Sequence, residues 1–378
     1  MDPQPVPQPR PSIEQLLQAA PWRSLEEHLN DLRERVDRSI SIAQSMRQRY
    51  RQELLAAHPD LLQQIRRPST AAIEVAKRLF VTGTVAAADG TLSPVPLLGG
   101  SKIQVGVVIV FNSGKVVDLV TRVFEAEITA PGNSATEFFT NLRGTRALSN
   151  LLARSIMLFG ERKLLLQHPA DWRMMHGELI PHELRTGAGR PNVNLVPTFD
   201  LINGYITDQK FLAVSEGPED IDILNAAILL EPGEYIVIRS LTETLTNFLN
   251  GDAETGQQRA NFAANDERRF REFIDAAGPK VSVVLVKAGH KPFIIECHAD
   301  RIEQAVAVFL ADALWTRGLA TDGSALTVRG FPFHIDLADQ VARTLFKGAD
   351  FQGFVEARLF DLGVESGMFD IDPRRTRS

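Results

Sequence analysis

Three stretches rich in β-branched and small apolar residues decide the fold class: VAAADGT at residues 85–91, IQVGVVIVF at 103–111 and VVDLVTRVFEAEI at 116–128. Such runs predict buried strands, the first over residues 79–88 and ending at Asp89-Gly90-Thr91. The sequence Asn112-Ser113-Gly114-Lys115 is typical of a hairpin turn. The second and third strands are therefore expected to run antiparallel.

The next predicted element is a long helix over residues 134–167, which begins at a capping-box pattern. A short segment at 172–175 leads into His176-Gly177-Glu178-Leu179, and residues 201–206 predict a further strand. Three antiparallel strands, a crossover helix and a fourth strand follow one another in a ribonuclease-H-like domain, although other folds share this order. We therefore predict an α/β fold: a ribonuclease-H-like mixed sheet core with flanking helices and an N-terminal long helix.

The last third of the chain mixes strands and helices. Strands are predicted at 235–239, 281–287 and 292–297, and helices at 266–277, 301–317 and 337–346.

The N-terminal region predicts a disordered Pro-rich leader over residues 1–20 and a helical segment over 21–68. From Leu25 to Tyr50 the apolar positions form a narrow stripe among many charged residues. Such a stripe suits packing along another helix, of this chain or of a partner, and an ordinary helix packed on its own core is an equal alternative. The main domain is placed at 69–350, and a C-terminal segment with a basic tail at 351–378.

Composition excludes several classes of protein. The chain has 378 residues, of which 44% are hydrophobic and 23% are charged, as in globular proteins. It has no apolar run of the roughly 20 residues that cross a bilayer, and its N-terminus lacks the apolar region of a signal peptide. The single cysteine, Cys297, excludes a disulfide framework and a multi-cysteine zinc site. A reducing, cytoplasmic location is the expectation.

The net charge of −6 does not exclude a polyanionic partner. Most of the 41 basic residues are arginines, which form bidentate contacts with phosphate. A GC-rich genome would produce the same bias, so composition alone does not establish nucleic-acid binding.

Several hydrolase motifs are absent from the sequence: the Gly-x-Ser-x-Gly elbow, the Walker A loop and His-Glu-x-x-His. Cys297 and His298 are adjacent, but neighbours on a strand point to opposite faces, which argues against a catalytic pair. Asp89 is a better candidate, because it follows a predicted core strand and sites gather at strand ends. Its oxygens suit Mg²⁺ or Mn²⁺. An ordinary Asp-Gly turn is the alternative interpretation.

Four segments resemble the motifs of the NurA nucleases, a family that works in DNA-end processing with a HerA-type hexameric ATPase. They are VAAADGT (85–91), MMHGELI (174–180), PFIIECHA (292–299) and GFPFHIDLADQVAR (330–343). Each motif is short, and their order and spacing over residues 79–347 carry the resemblance.

The resemblance implies carboxylates gathered on a divalent metal. It makes Asp89, Glu161 and Glu296 the candidate catalytic residues, and Asp89, His176 and Asp339 the candidate metal ligands. Asp89 matches the first metal-binding Asp, Glu161 the helical Glu and Glu296 the Glu of a late strand. For Glu161 a solvated ion pair with a basic neighbour is an equal alternative, and for Asp339 a charge on a helix surface.

The chain departs from the family pattern at two positions. His176, followed two residues later by Glu178, stands where an aspartate would be the stronger metal ligand. Histidine suits Mn²⁺ better than Mg²⁺, so manganese is the expected cofactor and Mg²⁺ the alternative. Asp208 occupies the position of a strand-borne lysine of the family, with Lys210 nearby.

The activity that the resemblance implies is metal-dependent DNA hydrolysis of the two-metal type, acting on DNA ends or single strands. The implied partners are DNA, a HerA-type ATPase and a second copy of the chain in a homodimer, and the implied setting is double-strand break repair or defence. A catalytically weak or inactive partner subunit of the ATPase is the main alternative, and an unrelated α/β hydrolase is a third.

Overall fold

The computed structural model describes residues 12–15, 24–97, 100–113, 116–129, 134–187, 194–215, 227, 229–251, 262, 264–289, 291–319, 330–346 and 349–363. The chain divides into two units, residues 1–59 and residues 60–378. The predicted leader, apart from residues 12–15, and the basic end of the tail lie outside the described residues, as does part of the predicted turn, residues 114–115.

The first unit contains one long helix, α1 (Leu25–Ala57), as the stripe predicted. A capping box starts it: the Ser24 hydroxyl accepts the N–H of Glu27 at 3.2 Å, and the Glu27 carboxylate accepts the N–H of Ser24 at 3.0 Å. The apolar stripe is exposed, from Leu25 at 74% to Tyr50 at 44%.

The second unit is a mixed α/β domain. Its helices are α2 (Asp60–Gln64), α3 (Thr70–Val81), α4 (Ala135–Gln167), α5 (His182–Arg185), α6 (Val196–Asp208), α7 (Leu241–Asn250), α8 (Ala264–Ala277), α9 (Ile302–Leu319), α10 (Phe333–Phe346) and α11 (Ala349–Asp361). Its strands are β1 (Val85–Leu97), β2 (Gly100–Ser113), β3 (Val116–Thr129), β4 (Trp172–His176), β5 (Phe211–Ser215), β6 (Glu234–Ser240), β7 (Val281–Lys287) and β8 (Pro292–His298). No helix in the part of the chain that the structure describes is long and apolar enough to span a membrane.

The eight strands form one sheet in the order β3-β2-β1-β4-β5-β8-β7-β6. Strands β1, β2 and β3 are antiparallel neighbours, β4 is parallel to β1 and β5 is parallel to β4. The first five strands have the order and directions of a ribonuclease-H-like sheet. The predicted fold class is confirmed. The sheet continues beyond β5 through three antiparallel pairs, β5–β8, β8–β7 and β7–β6.

The prediction for the first strand was wrong at both ends. Residues 79–81 end α3, because Ser69 caps that helix and Ala76 and Phe80, four positions apart, are buried on one side. The strand then runs through Asp89-Gly90 to Leu97 instead of ending there, with Asp89 opposite Val108 of β2. The Asp-Gly turn is therefore excluded.

The strand predicted over residues 201–206 is part of helix α6. A proline lies in the first turn of α6, and Leu201, Ile202, Tyr205 and Ile206 are buried at helical spacing. The apolar run is too short for helical periodicity to be recognised from the sequence. The predicted fourth strand is supplied instead by β4, which begins at Trp172.

Candidate metal-binding active site

Alternating residues of β1 pack on opposite sides of the sheet. Ala86 and Ala88 belong to the core that includes α4, whereas Val85 and Ala87 pack with α9 and α10. Since strand side chains alternate, Asp89 lies on the side of α10, and Gly90 lies on the side of α4.

Asp89 and His176 contact each other although 87 positions separate them in the sequence. The Nδ1 atom of His176 lies 3.1 Å from Oδ2 of Asp89, and the N–H of Gly90 donates to Asp89 Oδ1 at 2.8 Å. The contact arises because β1 and β4 are parallel neighbours and His176 ends β4. The Asp89 side chain is 8% exposed and that of His176 is 29% exposed, so the imidazole faces solvent and the carboxylate does not.

Glu161 approaches Asp89 from α4, on the other side of the sheet. It is 1% exposed, and a Cβ atom at position 90 would lie 2.5 Å from its Oε1 atom, so the glycine makes room for this carboxylate. Burial, and secondarily the charge of Asp89, raises the pKa of Glu161 to about 8, while Arg162 and His176 lower it. A buried Glu161 excludes the solvated ion pair considered from the sequence.

Asp339 faces the same centre from α10. Burial and the charge of Asp89 raise its pKa, while Arg343, whose Nε lies 2.7 Å from Oδ1, and His176 lower it. Asp339 is half-buried and pairs with the exposed Arg343 one helical turn away, so a paired charge on the helix surface stays an alternative to the ligand role.

The position of α10 is fixed by a buried polar contact at its start. The Nδ1 atom of His334 lies 2.6 Å from Asp312 of α9, and Nε2 lies 2.9 Å from Asn112 of β2. All three side chains are at most 3% exposed. This contact ties the helix that carries Asp339 to the sheet.

Glu296 lies in a neighbouring cluster. Its carboxylate accepts the N–H of Leu179 at 2.6 Å, and Arg185 pairs with Glu178 beside it. Burial, followed by the charge of Glu178, raises the pKa of Glu296 to about 7. The charges of Asp89 and His176 therefore act on both Glu161 and Asp339, and Glu296 lies against the loop after β4.

Cys297 and His298 lie on opposite sides of β8, as alternation predicted. Cys297 packs in the core beneath α9, and burial raises the pKa of its thiol to about 12. The Nδ1 atom of His298 accepts the N–H of Asp300 at 3.2 Å. The sulfur therefore stays protonated at neutral pH, and the two side chains form no catalytic pair.

Two buried arginines of this region were missed from the sequence. Arg162 is fully buried beside Glu161, and Arg185 is 7% exposed beside Glu178. The only available signal was that each lies close in sequence to a candidate acid. Asp208, assigned to a strand position from the resemblance, ends α6 instead and pairs with Arg173 at 2.5 Å.

The donor atoms around Asp89 are of the chemical types that bind a divalent cation. Within the described residues no three His, Cys, Asp or Glu side chains stand at the mutual distances of a completed metal site. Glu161 Oε1, however, is buried and accepts no hydrogen bond of good geometry from a described residue, although the N–H of Gly90 acts weakly on this carboxylate. A buried carboxylate oxygen of this kind, next to a second carboxylate, is poorly stabilised without a cation. Carboxylate oxygens with one imidazole are a donor set that suits Mn²⁺.

No protein-family model and no curated protein sequence matches this chain. Similar solved structures include the NurA nuclease from Sulfolobus solfataricus, at 13% identity, covering 87% of this chain and 98% of that one, with a TM-score of 0.44. A NurA bound to dAMP and manganese is 10% identical, covers 84% and 95%, and has a TM-score of 0.40. Endonuclease V from Bacillus subtilis is 11% identical, covers 76% and 91%, and has a TM-score of 0.30.

The chain is similar in structure to NurA nucleases. This is the family whose motifs the four sequence segments resemble.

Proposed function

We propose that this protein is a metal-dependent DNA nuclease of the NurA type. The observation that carries the proposal is that two buried carboxylates, Asp89 and Glu161, interact electrostatically beside His176, with Glu161 lying against Gly90. Burial and the nearby charge of Asp89 disfavour the ionised form of Glu161, and a divalent cation is the ligand that would relieve both. The motif resemblance supplies the substrate class, which is DNA.

Each side chain has a distinct role in this proposal. Asp89, Glu161, His176 and Asp339 would hold the cation. The cation would lower the pKa of a bound water and stabilise charge on the scissile phosphate. Glu161, with a pKa of about 8, carries a proton on its carboxylate at neutral pH in the metal-free protein. It must release that proton when it becomes a ligand, so metal binding should strengthen as the pH rises.

The direct test is cleavage of end-labelled single-stranded and double-stranded DNA by the purified protein, with Mn²⁺, with Mg²⁺ and with EDTA. Cleavage that requires a divalent cation is expected. A second candidate function, an inactive partner subunit of a HerA-type ATPase, is favoured by the His176 substitution for aspartate. DNA that stays intact in both metals, with and without such an ATPase, would favour that alternative.

Replacing His176 by Asp should shift the metal preference toward Mg²⁺. An oxygen ligand suits Mg²⁺, whereas imidazole suits the softer Mn²⁺. We expect the ratio of the Mn²⁺-dependent to the Mg²⁺-dependent cleavage rate to fall about tenfold, a size typical of changes around a metal site. His176→Asn is the matched control, because it removes the imidazole without adding charge. An unchanged ratio in His176→Asp would argue against His176 as a ligand.

We propose that the exposed stripe of α1 pairs with a second copy of the chain, since two-fold homodimers are the commonest closed assembly. Light scattering should give about twice the chain mass of 41.8 kDa. Leu29→Glu combined with Val36→Glu, which places charges in the stripe, should give a monomer. Gln48→Glu, on the opposite side of α1, should leave the dimer intact.

A monomeric wild-type protein, or a double variant that still dimerises, would reject the role of the stripe in pairing. Docking of α1 on a HerA-type ATPase is the other arrangement that the resemblance implies. A pull-down of the ATPase by wild type and by the double variant distinguishes these two arrangements. If α1 docks on the ATPase, the double variant should still be a dimer but should no longer capture the ATPase.

A further inference from the structure

Arg162 is the largest of the fully buried side chains in the described part of the chain, with no exposed surface. It follows Glu161 directly on α4. Burying a guanidinium is costly unless its N–H groups are hydrogen-bonded, so the partners of this side chain reveal what its burial achieves.

Each of the five N–H donors of the Arg162 guanidinium has an oxygen acceptor. Nε donates to the carbonyl of Leu179 at 2.9 Å, and one terminal nitrogen donates to the carbonyl of Leu158 at 3.1 Å and to Glu161 Oε2 at 3.3 Å. The other terminal nitrogen donates to the carbonyls of His176, at 3.5 Å, and of Glu178. An arginine has five such donors in a rigid plane, and all of them are used here.

These contacts join the two parts of the candidate metal site. Three of the five acceptors belong to residues 176–179, the loop that begins at His176. A fourth is Glu161 Oε2, so the contact with Arg162 leaves Oε1 as the oxygen that faces Gly90. One side chain thus sets both the direction of Glu161 and the position of the backbone that carries His176.

We propose that Arg162 is a positioning residue of the metal site, which holds Glu161 and the loop at residues 176–179 in the arrangement that binds the cation. The inference rests on the proposed metal-dependent function. Arg162 would not touch the cation itself, because all five of its N–H donors are used by oxygens of the protein. Lysine cannot replace it, since three donors on a flexible stem cannot satisfy five acceptors in one plane.

Arg173 of β4 provides a matched control. It also reaches the end of α4, where Nε donates to the carbonyl of Leu165 at 3.2 Å and a terminal nitrogen donates to the carbonyl of His168 at 3.1 Å. Its carboxylate partner is Asp208, at 2.5 Å, which is not a candidate metal ligand. Both arginines are therefore buried structural links to the same helix, and only Arg162 contacts the site.

The test compares Arg162→Lys with Arg173→Lys in the full-length protein. Mn²⁺ binding is measured by electron paramagnetic resonance, and thermal stability is measured with and without Mn²⁺. We expect Arg162→Lys to weaken Mn²⁺ binding tenfold or more, roughly the loss seen when groups that orient metal ligands are removed. Its stabilisation by Mn²⁺ should shrink accordingly, because that stabilisation follows affinity. Arg173→Lys should be less stable, with wild-type affinity for Mn²⁺.

Wild-type affinity for Mn²⁺ in Arg162→Lys would overturn the positioning role and leave the proposed function standing. Should Arg162→Lys fail to fold, Arg162→Gln is measured in its place, and unchanged Mn²⁺ binding there would overturn the role as well. A wild-type protein that binds no Mn²⁺, or binds it equally well after Asp89→Asn, would overturn the proposed function and this inference with it.

Discussion

Asp89→Asn is expected to reduce Mn²⁺-dependent DNA cleavage by about a thousandfold. Asparagine keeps the shape of the side chain and a hydrogen bond to His176, but it removes the negative charge that would hold the cation. Charge stabilisation by a catalytic metal is worth several kcal/mol, and about 4 kcal/mol corresponds to three powers of ten in rate. The measurement is the initial rate of cleavage of labelled DNA at saturating Mn²⁺.

Asp171→Asn is the matched control for this prediction. Asp171 lies just before β4, at the opposite end of that strand from His176, and its carboxylate is 55% exposed with Lys210 at 3.6 Å. Its variant should cleave DNA at the wild-type rate. Asp89→Asn should fold normally, because it removes a buried negative charge and keeps the shape of the side chain. More than a tenth of the wild-type rate in Asp89→Asn would contradict the assignment.

The order of the elements could be predicted wherever their periodicity was long or their turn signals were strong. The strand-rich run from 103 to 128 and the helix over 134–167 match β2, β3 and α4 to within a few residues. The errors fell on short apolar runs. Residues 79–81 and 201–206 are buried in helices, and a few apolar residues in a row do not distinguish a buried helix from a buried strand.

The candidate site was harder to predict because its parts are distant in sequence. Asp89 was selected by its place after a predicted strand, and His176 through the motif resemblance. Their contact depends on the parallel pairing of β1 with β4, which no local pattern specifies. Glu161 was selected by its position on the helix, where its basic neighbours made an exposed ion pair equally reasonable. Gly90 decides between a buried Glu161 and an exposed ion pair, because a side chain at position 90 would occupy the space that the Glu161 carboxylate takes.

Apart from its position next to Glu161, the sequence contains no signal of the role of Arg162. Four of its five acceptors are backbone carbonyls, and any residue type supplies a carbonyl. Its role therefore depends on how the loop after β4 folds back on α4. For Glu296 the strand was correctly predicted, but the neighbours of its side chain were not. These neighbours, Glu178 and Leu179, come from the same loop after β4.

Glu161→Gln is expected to have opposite effects on activity and on stability. Cleavage at saturating Mn²⁺ should fall at least a hundredfold, or about 3 kcal/mol, because an amide oxygen is a weak ligand for a hard cation. Glu183→Gln is the control for losing a buried carboxylate on the α4 side of the sheet, since Glu183 pairs with Arg154 at 2.9 Å and does not contact Asp89. That variant should retain wild-type activity.

The stability effect follows from the raised pKa of Glu161. In the folded, metal-free protein this pKa is about 8, whereas the ordinary value is 4.5, so between these pH values the folded state binds more protons than the unfolded state. The free energy of unfolding of the wild type therefore decreases as the pH rises through this window. Glutamine resembles the protonated carboxyl and does not ionise, so the free energy of unfolding of the variant should not decrease in this way.

Urea denaturation in EDTA between pH 4.5 and pH 9 measures the difference. The two proteins should be similar in stability near pH 4.5, and the variant should become more stable by a few kcal/mol, on the order of 1.4 kcal/mol per unit of pKa shift, by pH 8. Above that pH Glu161 is ionised in both the folded and the unfolded wild type. The difference in free energy of unfolding between the two proteins should then stay constant. Mn²⁺ should restore stability to the wild type and not to Glu161→Gln, because only the carboxylate gains a cation. If the free energy of unfolding depended on pH in the same way in both proteins, the raised pKa of Glu161 in the folded state would be contradicted.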